Sequence, residues 1–392
     1  MPGPLEGVKV VELAGWVVGP SVAAVLADWG ADVVKIEPPD GDPNRAWTTD
    51  SNPAFELDNR GKRSMALDLK ADAARGIVHE LLASADVFVT NLRWPALESL
   101  GFDYATLAPR YPRLVYASVT GYGLDGPDRD RPAYDGGAFW SRAGVLMAMT
   151  PPGASLPAAP GGAGDHVTAM TAVAGVAAAL FARQSTGRGQ HVTTSLLRAG
   201  VFMMGFDVNT ALRRGAPFVP SARSDARNPL YNTYRAGDGR WFHLLGLQPD
   251  RHWGPLLRAV DDVRLQDPRF ATGAGRAEHA QEVVALLDSV FASAPMAQWQ
   301  ARFDAAGVWW APLQAPADLL SDAQARASGA FVEAPTATGT MTTVASPVDF
   351  LGTPWGIARR VPETGEHTEE VLLELGHDWE SITRLREEGA FG

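Results

Sequence analysis

Asp165 is the residue whose setting best suits covalent chemistry. It closes the stretch Leu156-Pro-Ala-Ala-Pro-Gly-Gly-Ala-Gly-Asp165, and the alanine-rich run His166–Gln184 that follows has Gly175 as its single glycine. A Gly/Pro-rich approach lets the backbone come close to a ligand. Asp is also among the preferred residues for the N-cap that opens a helix. There the helix dipole and the free first-turn N–H groups favour the ionised carboxylate. An ionised, accessible carboxylate attacks an activated acyl carbon. Most Asp residues at helix starts merely cap, and the segment by itself favours that reading.

Other patterns exclude more than they assign. Gly121-Tyr-Gly123-Leu-Asp-Gly126 matches the dinucleotide fingerprint and follows an expected strand. It runs into Pro127-Asp-Arg-Asp-Arg-Pro132, which cannot open the helix that the fingerprint requires. The eight histidines show no metal-ligand spacing, so no metal site is expected. No nucleophile elbow G-x-S-x-G and no phosphate loop G-x-x-x-x-G-K-[ST] occurs. Lys62-Arg63, Arg183 and Arg188 read equally as solvated surface charge.

The elements that must position Asp165 are visible as strand–helix alternation. Strands are expected at Val8–Leu13, Asp32–Glu37, Val87–Thr90 and Leu114–Ser118, with helices at Pro20–Trp29, Ala71–Ala83 and Pro95–Leu107. Near-continuous apolar strands separated by helices imply a parallel sheet covered on both faces. Tyr122–Gly164 reads as a long loop region with Phe139, Trp140, Met147 and Met149. Loops of that length in compact domains usually bind or catalyse. A strand or helix start is expected at His191–Leu197, and Gly200–Asn228 reads as a polar, Arg-rich connecting arm. A smaller α+β unit is expected next, with a strand at Trp241–Gly246 and helices at Trp253–Val260, Glu278–Ala292 and Met296–Ala306. Asp318–Gly329 reads as helical, Thr336–Val344 as β, and His367–Leu375 and Trp379–Glu388 as closing helices.

The composition narrows the partners. Lys and Arg number 34 against 45 Asp and Glu, a net charge of −11, which argues against nucleic acid or an anionic membrane. Twelve tryptophans in so acidic a chain fit cores and an apolar cleft better than a platform for bases. There is no cysteine, which removes disulfides, thiol nucleophiles and thiolate metal sites. Met-Pro-Gly-Pro-Leu-Glu leads into a strand without a basic head and apolar signal region. No apolar run is expected to reach the ~18 residues of a membrane span. A cytoplasmic protein is expected.

Several segments in register resemble the class III CoA-transferase family (CaiB/BaiF type). They are Val10-Val-Glu-Leu-Ala-Gly-Trp-Val-Val-Gly-Pro20, Leu26-Ala-Asp-Trp-Gly-Ala-Asp-Val-Val-Lys-Ile-Glu37 and Asn59-Arg-Gly-Lys-Arg-Ser-Met-Ala-Leu-Asp-Leu-Lys70. Ala85-Asp-Val-Phe-Val-Thr-Asn91, Gly121-Tyr-Gly123, Thr186-Gly-Arg-Gly-Gln190 and Gly365-Glu-His-Thr-Glu369 continue the likeness in the family's order. The resemblance implies an α/β fold: a Rossmann-like large domain from both chain ends, a smaller α+β domain, and an interlocked, ring-like homodimer. The boundaries it implies are 1–200 for the large domain, 201–229 as linker, 230–317 for the small domain, 318–335 as return linker, and 336–392 completing the large domain.

By this resemblance Asp165 is the catalytic nucleophile, passing through a mixed anhydride and an aspartyl-CoA thioester. No cofactor is held permanently; coenzyme A enters as acyl-CoA substrate, with a carboxylic acid as acceptor. The family's CoA-binding positions fall on Trp16, Val17, Val18, Leu67, Lys70, Asn91 and Leu92, with Arg93 and Tyr134 added beside them. Pro38 and Ser99 stand where members often carry basic residues, which leaves Arg93, Arg45 and Arg131 as candidates for the CoA phosphates. Tyr134, Phe139, Trp140 and Gln248 are expected around the acyl group, which Phe139, Trp140, Met147 and Met149 suggest is apolar or aromatic. The sister α-methylacyl-CoA racemases share the fold and exchange an α-proton. Their histidine matches Tyr134 and their acidic partner matches Gln248, and neither residue is a good base at neutral pH. Isomerase chemistry and non-catalytic acyl-CoA binding are the alternatives to transfer.

Overall fold

The computed structural model describes residues 3–47, 52–216 and 219–392. Residues 1–2 of the N-terminal segment, and Pro217 and Phe218 of the expected connecting arm, lie outside the described residues. The chain divides into two compact units, one drawn from residues 1–147, 156–218 and 329–392, the other from 148–155 and 219–328.

The larger unit is organised by six strands: β1 (Lys9–Leu13), β2 (Asp32–Glu37), β3 (Arg63–Ala66), β4 (Val87–Thr90), β5 (Val115–Thr120) and β6 (His191–Ser195). All neighbouring pairs are parallel, in the order β3-β2-β1-β4-β5-β6. Helices α1 (Val18–Asp28), α2 (Pro53–Asn59), α3 (Asp72–Ser84), α4 (Trp94–Leu100), α5 (Tyr104–Arg110), α6 (Val145–Ala148) and α7 (Ala163–Thr186) link them. Strand residues alternate between faces, as the period of two dictates. Val11, Val34, Ile36 and Phe88 pack with Ile77 and Leu81 of α3. Val10, Val33, Val87, Val89 and Val115 pack on the other face with Val22 and Leu26 of α1 and Val173 and Val176 of α7. Both faces are thus apolar, which is why the strands read as continuous hydrophobic runs.

This order reverses between β1 and β4, and ligands of such sheets lie beyond the carboxyl ends of the strands at that reversal. Each helix that follows a strand begins at that end, α1 after β1 and α7 after β5 among them. Two charged side chains interrupt the apolar strands, Glu12 in β1 and Lys35 in β2, and the register sets them directly opposite each other.

Several elements differ from the sequence reading. The helix expected over Pro95–Leu107 is two helices, because Gly101 closes α4 in a left-handed conformation (φ +75°) and Asp103 caps α5 by accepting the Thr106 N–H. The arm expected over Gly200–Asn228 continues α8 (Leu196–Met203) and holds a second helix, α9 (Gly205–Arg214). No residue of α9 is buried, so it carries no core-facing stripe for a periodicity to reveal. Thr336–Val344 belongs to a hairpin of Phe331–Pro335 with Thr340–Val344. Asp318–Gly329 holds only a 3₁₀ turn, Pro316–Ser321, and the short helix Ala323–Ala327. Glu278–Ala292 divides into Gly273–Glu278 and Ala280–Phe291.

Helix α7 also corrects the expectation about membrane spans. At 24 residues, with a mean hydropathy of 1.4 over its most apolar window, it has the length and composition to cross a bilayer. Here it is the crossover between β5 and β6, with Ala169, Ala172, Val173 and Val176 buried against the sheet and α1.

The smaller unit has its own core. Strands Tyr231–Arg235, Trp241–Leu245 and Trp310–Pro312 form an antiparallel sheet. Helices Pro249–Val260, Ala280–Phe291 and Met296–Ala306 contribute Trp253, Phe291, Trp299 and Phe303 to its core. Phe291 stacks edge-on against both Phe242 (5.0 Å) and Trp299 (5.2 Å), and the Trp299 indole donates to the Phe291 carbonyl at 2.9 Å.

Candidate functional site

The first wall of the site is the turn between β1 and α1. Beneath it Lys35, fully buried, donates to Glu12 Oε1 (2.8 Å), Asp42 Oδ2 (2.8 Å) and the Ala14 carbonyl (3.1 Å). Burial opposes the lysine charge, but Glu12 and Asp42 outweigh it and hold the Lys35 ammonium above its ordinary range. Lys62 completes the group at 2.7 Å from Glu12 Oε2; there burial prevails and brings its pKa down to about 8. Asp42 passes this order upward, accepting the Trp16 and Asn44 backbone N–H groups at 3.1 and 2.9 Å.

The second wall is the start of α7. Gly162 caps the helix in the left-handed region (φ +71°), so Asp165 stands in the first turn and not at the N-cap expected from sequence. Gly164 permits a close approach: a Cβ there would lie 2.7 Å from Phe139 Cγ. Phe139 and Trp140 belong to a π-helical segment, Gly136–Arg142, and are 1% and 7% exposed. They pack with Leu196 and Ala199 and support α7 from beneath, whereas the neighbouring Tyr134 is 63% exposed. Asp135 Oδ2 accepts the Gly164 N–H at 3.3 Å.

The electrostatics of Asp165 reverse the sequence expectation. Burial, then the neighbouring Asp135, with Asp58 adding to it, push its pKa up to about 7, against the pull of His166. The helix end favours a carboxylate ion, but here desolvation and like charge outweigh it. His166 is raised above the usual imidazole value, chiefly by its hydrogen bond with Asp58. Asp58 is buried, and the Ser21 hydroxyl of α1 donates to the same oxygen at 2.6 Å. A carboxylate that is partly desolvated and of raised basicity is a stronger nucleophile once ionised.

The remaining expected residues fall into distinct settings. Asn91 uses both amide atoms on Gly15, accepting its N–H at 3.0 Å and donating to its carbonyl at 2.7 Å. It therefore shapes the turn beside Trp16. Val17 lies against the α7 cap, its Cγ1 3.8 Å from where a Gly162 Cβ would stand, and Val18 begins α1. Leu67 is buried in the core, Leu92 is half-buried, and Lys70 and Arg93 are exposed at the carboxyl ends of β3 and β4. Arg45 is engaged by Glu37 through two contacts, 2.8 and 2.6 Å, and Arg131 stands 3.6 Å from Asp128. Gln248 lies in the smaller unit, where its side-chain oxygen accepts from Arg251 at 3.1 Å. A cavity of about 340 Å³ opens beyond β2 and β3, lined by Pro39, Ala66, Gly365 and Arg386 among others.

Sequence reasoning missed Asp58, Lys35 and Asp42. A signal existed for Lys35, a charged residue inside a strand and flanked there by Val33, Val34 and Ile36. None existed for Asp58, whose partner His166 is remote in sequence.

The description CoA-transferase family III matches residues 5–368. The (R)-2-hydroxy-4-methylpentanoate CoA-transferase of Clostridioides difficile is 34% identical, over 98% of both chains. The cinnamoyl-CoA:phenyllactate CoA-transferase of Clostridium sporogenes is 33% identical, over 98% of this chain and 96% of that one. The crystal structure of a CAIB/BAIF family protein from Brucella suis superposes with a TM-score of 0.86 at 29% identity, covering 96% of this chain and 100% of that one.

Proposed function

The chain belongs to CoA-transferase family III, and from that premise we propose that it moves CoA from an acyl-CoA donor to a carboxylic acid through covalent catalysis by Asp165. The observation that carries this reading is the placement of Asp165 in the first turn of α7, at the carboxyl side of the sheet, with Asp135 and His166 acting on its charge.

The steps follow from the chemistry of a carboxylate. Ionised Asp165 attacks the thioester carbonyl, the C–S bond breaks, and CoA leaves as thiolate from a mixed anhydride. The thiolate attacks the aspartyl carbonyl, releasing the donor acid and leaving an aspartyl-CoA thioester. The acceptor carboxylate attacks that thioester and expels the thiolate, which then takes the acceptor acyl group and frees Asp165. An anhydride conserves the thioester's acyl-transfer energy, which an ordinary ester would lose. First-turn N–H groups of α7 are suited to stabilise the oxyanions.

The exposed side chains of Lys70 and Arg93 are assigned to the CoA phosphates, and the turn at Trp16, Val17 and Val18 to the thioester arm. The acyl group is assigned as apolar, branched or aromatic. The partly exposed Trp16 and Tyr134 support this, as do the relatives named for 4-methylpentanoate and cinnamoyl or phenyllactate groups. An interlocked homodimer is part of the same reading. Phe202 and Phe206 on α8 and α9, 88% and 94% exposed, are apolar surface for a second copy to cover.

A matrix of acyl-CoAs against carboxylic acids, with mass spectrometry of the protein, tests the proposal. Productive pairs with a CoA adduct on Asp165, both abolished in Asp165→Ala, are expected. Full transfer by Asp165→Ala would remove the nucleophile assignment. Deuterium exchange at the α-carbon without any acceptor acid would point to isomerisation instead.

A further inference from the structure

Trp16 adopts a backbone conformation that a side chain rarely takes, with φ +66°. Among the described residues only Asp261 shares a positive φ without being glycine. Such a conformation is strained for a side-chain-bearing residue and persists where the surroundings enforce it. Here they do so from both sides of the residue. The Trp16 N–H donates to Asp42 Oδ1 at 3.1 Å and its carbonyl accepts from Asn44 Nδ2 at 3.1 Å. Gly15, immediately before it, is bound through both backbone groups by Asn91. Asp42 is fixed in turn by the buried Lys35.

This arrangement aims the indole at Tyr134, the two rings meeting edge-on at 5.5 Å and 79°. Tyr134 precedes Asp135, which holds the Gly164 N–H beside Asp165. A turn alone would be served better by glycine, which takes positive φ without strain.

Building on the transferase reading above, we propose that Trp16 is a specificity-determining residue whose indole, backed by Tyr134, is the wall on which the acyl group packs, and that Asp42 and Asn91 are its positioning residues. A fixed aromatic edge selects flat or branched apolar acyl groups over short ones, because only the larger groups gain contact area from it.

The test compares kcat/KM for 3-phenylpropanoyl-CoA and acetyl-CoA with a common acceptor. Trp16→Gly keeps the turn and removes the wall, and the aryl-to-acetyl ratio is expected to fall about tenfold or more. Trp16→Phe recovers part of it. Asn91→Ala moves the ratio in the same direction, mainly through KM for the aryl donor, and adds little to Trp16→Gly, as expected for residues acting through one another. A ratio unchanged in folded Trp16→Gly overturns the inference, and so does an Asn91→Ala that slows both donors equally. The same ratio read as binding affinities by calorimetry, in the Asp165→Ala background, requires no turnover. A wild type without transferase activity that still prefers the aryl thioester would sink the transfer reading and leave this one standing.

Discussion

Asp58 Oδ1 lies 3.1 Å from His166 Nε2, and the imidazole so held is the residue next to Asp165, the proposed nucleophile. The hydrogen bond to Asp58 favours the protonated imidazole, beside a carboxyl group that burial, Asp135 and Asp58 push up to about 7. As the proposed nucleophile Asp165 must be ionised, so kcat/KM is expected to fall as pH drops through about 7. His166→Gln retains a donor toward Asp58 but loses the charge. Its midpoint is expected about one pH unit higher than that of the wild type. Activity is lost chiefly at pH near 6 and largely kept near 9. A profile that keeps the wild-type midpoint would leave His166 without an electrostatic role.

A second expectation concerns stability. The folded Asp165 has a pKa of about 7, above the 3.8 of an unperturbed carboxyl group. The native state therefore holds this proton more tightly than the unfolded chain. The resulting contribution is complete below the unfolded pKa and is lost as pH rises through the folded one. Asparagine keeps the shape without the titration. Asp165→Asn should melt a few degrees above wild type at pH 8, with the gap closing toward pH 5. Equal gaps at both pH values in differential scanning calorimetry would refute this origin.

The contrast between these charges and the backbone explains what the sequence could disclose. The parallel sheet was legible because β2, β4 and β5 are buried on both faces and read as apolar runs. The break between α4 and α5 also left local marks, Gly101 and Asp103, although a single helix was the expectation. Asp165 was singled out by its Gly/Pro-rich approach and, through the family resemblance, as the proposed nucleophile, but its ionisation was not legible. That depends on Asp58 and Asp135, which only the folded chain brings to α7. Asn91 illustrates the same limit: the family resemblance gave it only as a CoA-binding position, while its engagement with Gly15 is a matter of geometry.

Gly164 offers a steric test of how closely the start of α7 must approach its support. An added Cβ would stand 2.7 Å from Phe139 Cγ and 2.8 Å from its Cδ1, inside a core where Phe139 is 1% exposed. Overpacking of this kind costs about 1–3 kcal/mol and moves the backbone. Gly164→Ala should lower the unfolding free energy by that amount and reduce kcat/KM at least about tenfold, since small displacements of a nucleophile are costly. Phe139→Leu, which clears the contact, should restore part of both in the double variant. Additive losses in thermal melts and kinetics would place the cause elsewhere.

Lys35 is the most exacting buried group to remove. Its ammonium meets Glu12, Asp42 and the Ala14 carbonyl with no solvent exposure. Lys35→Met leaves Asp42 buried without its cation, while Glu12 retains Lys62 at 2.7 Å. Stranding a buried charge in this way is destabilising by about 3–5 kcal/mol. Neutralising the stranded partner should recover much of it, so Lys35→Met with Asp42→Asn is expected to be more stable than Lys35→Met alone. Asparagine preserves an acceptor for the Trp16 N–H, and the double variant should therefore fold with the turn largely intact. Urea unfolding of the three proteins decides the matter. If the double variant is no more stable than the single one, Lys35 acts by filling space and not by balancing the charge beneath Trp16.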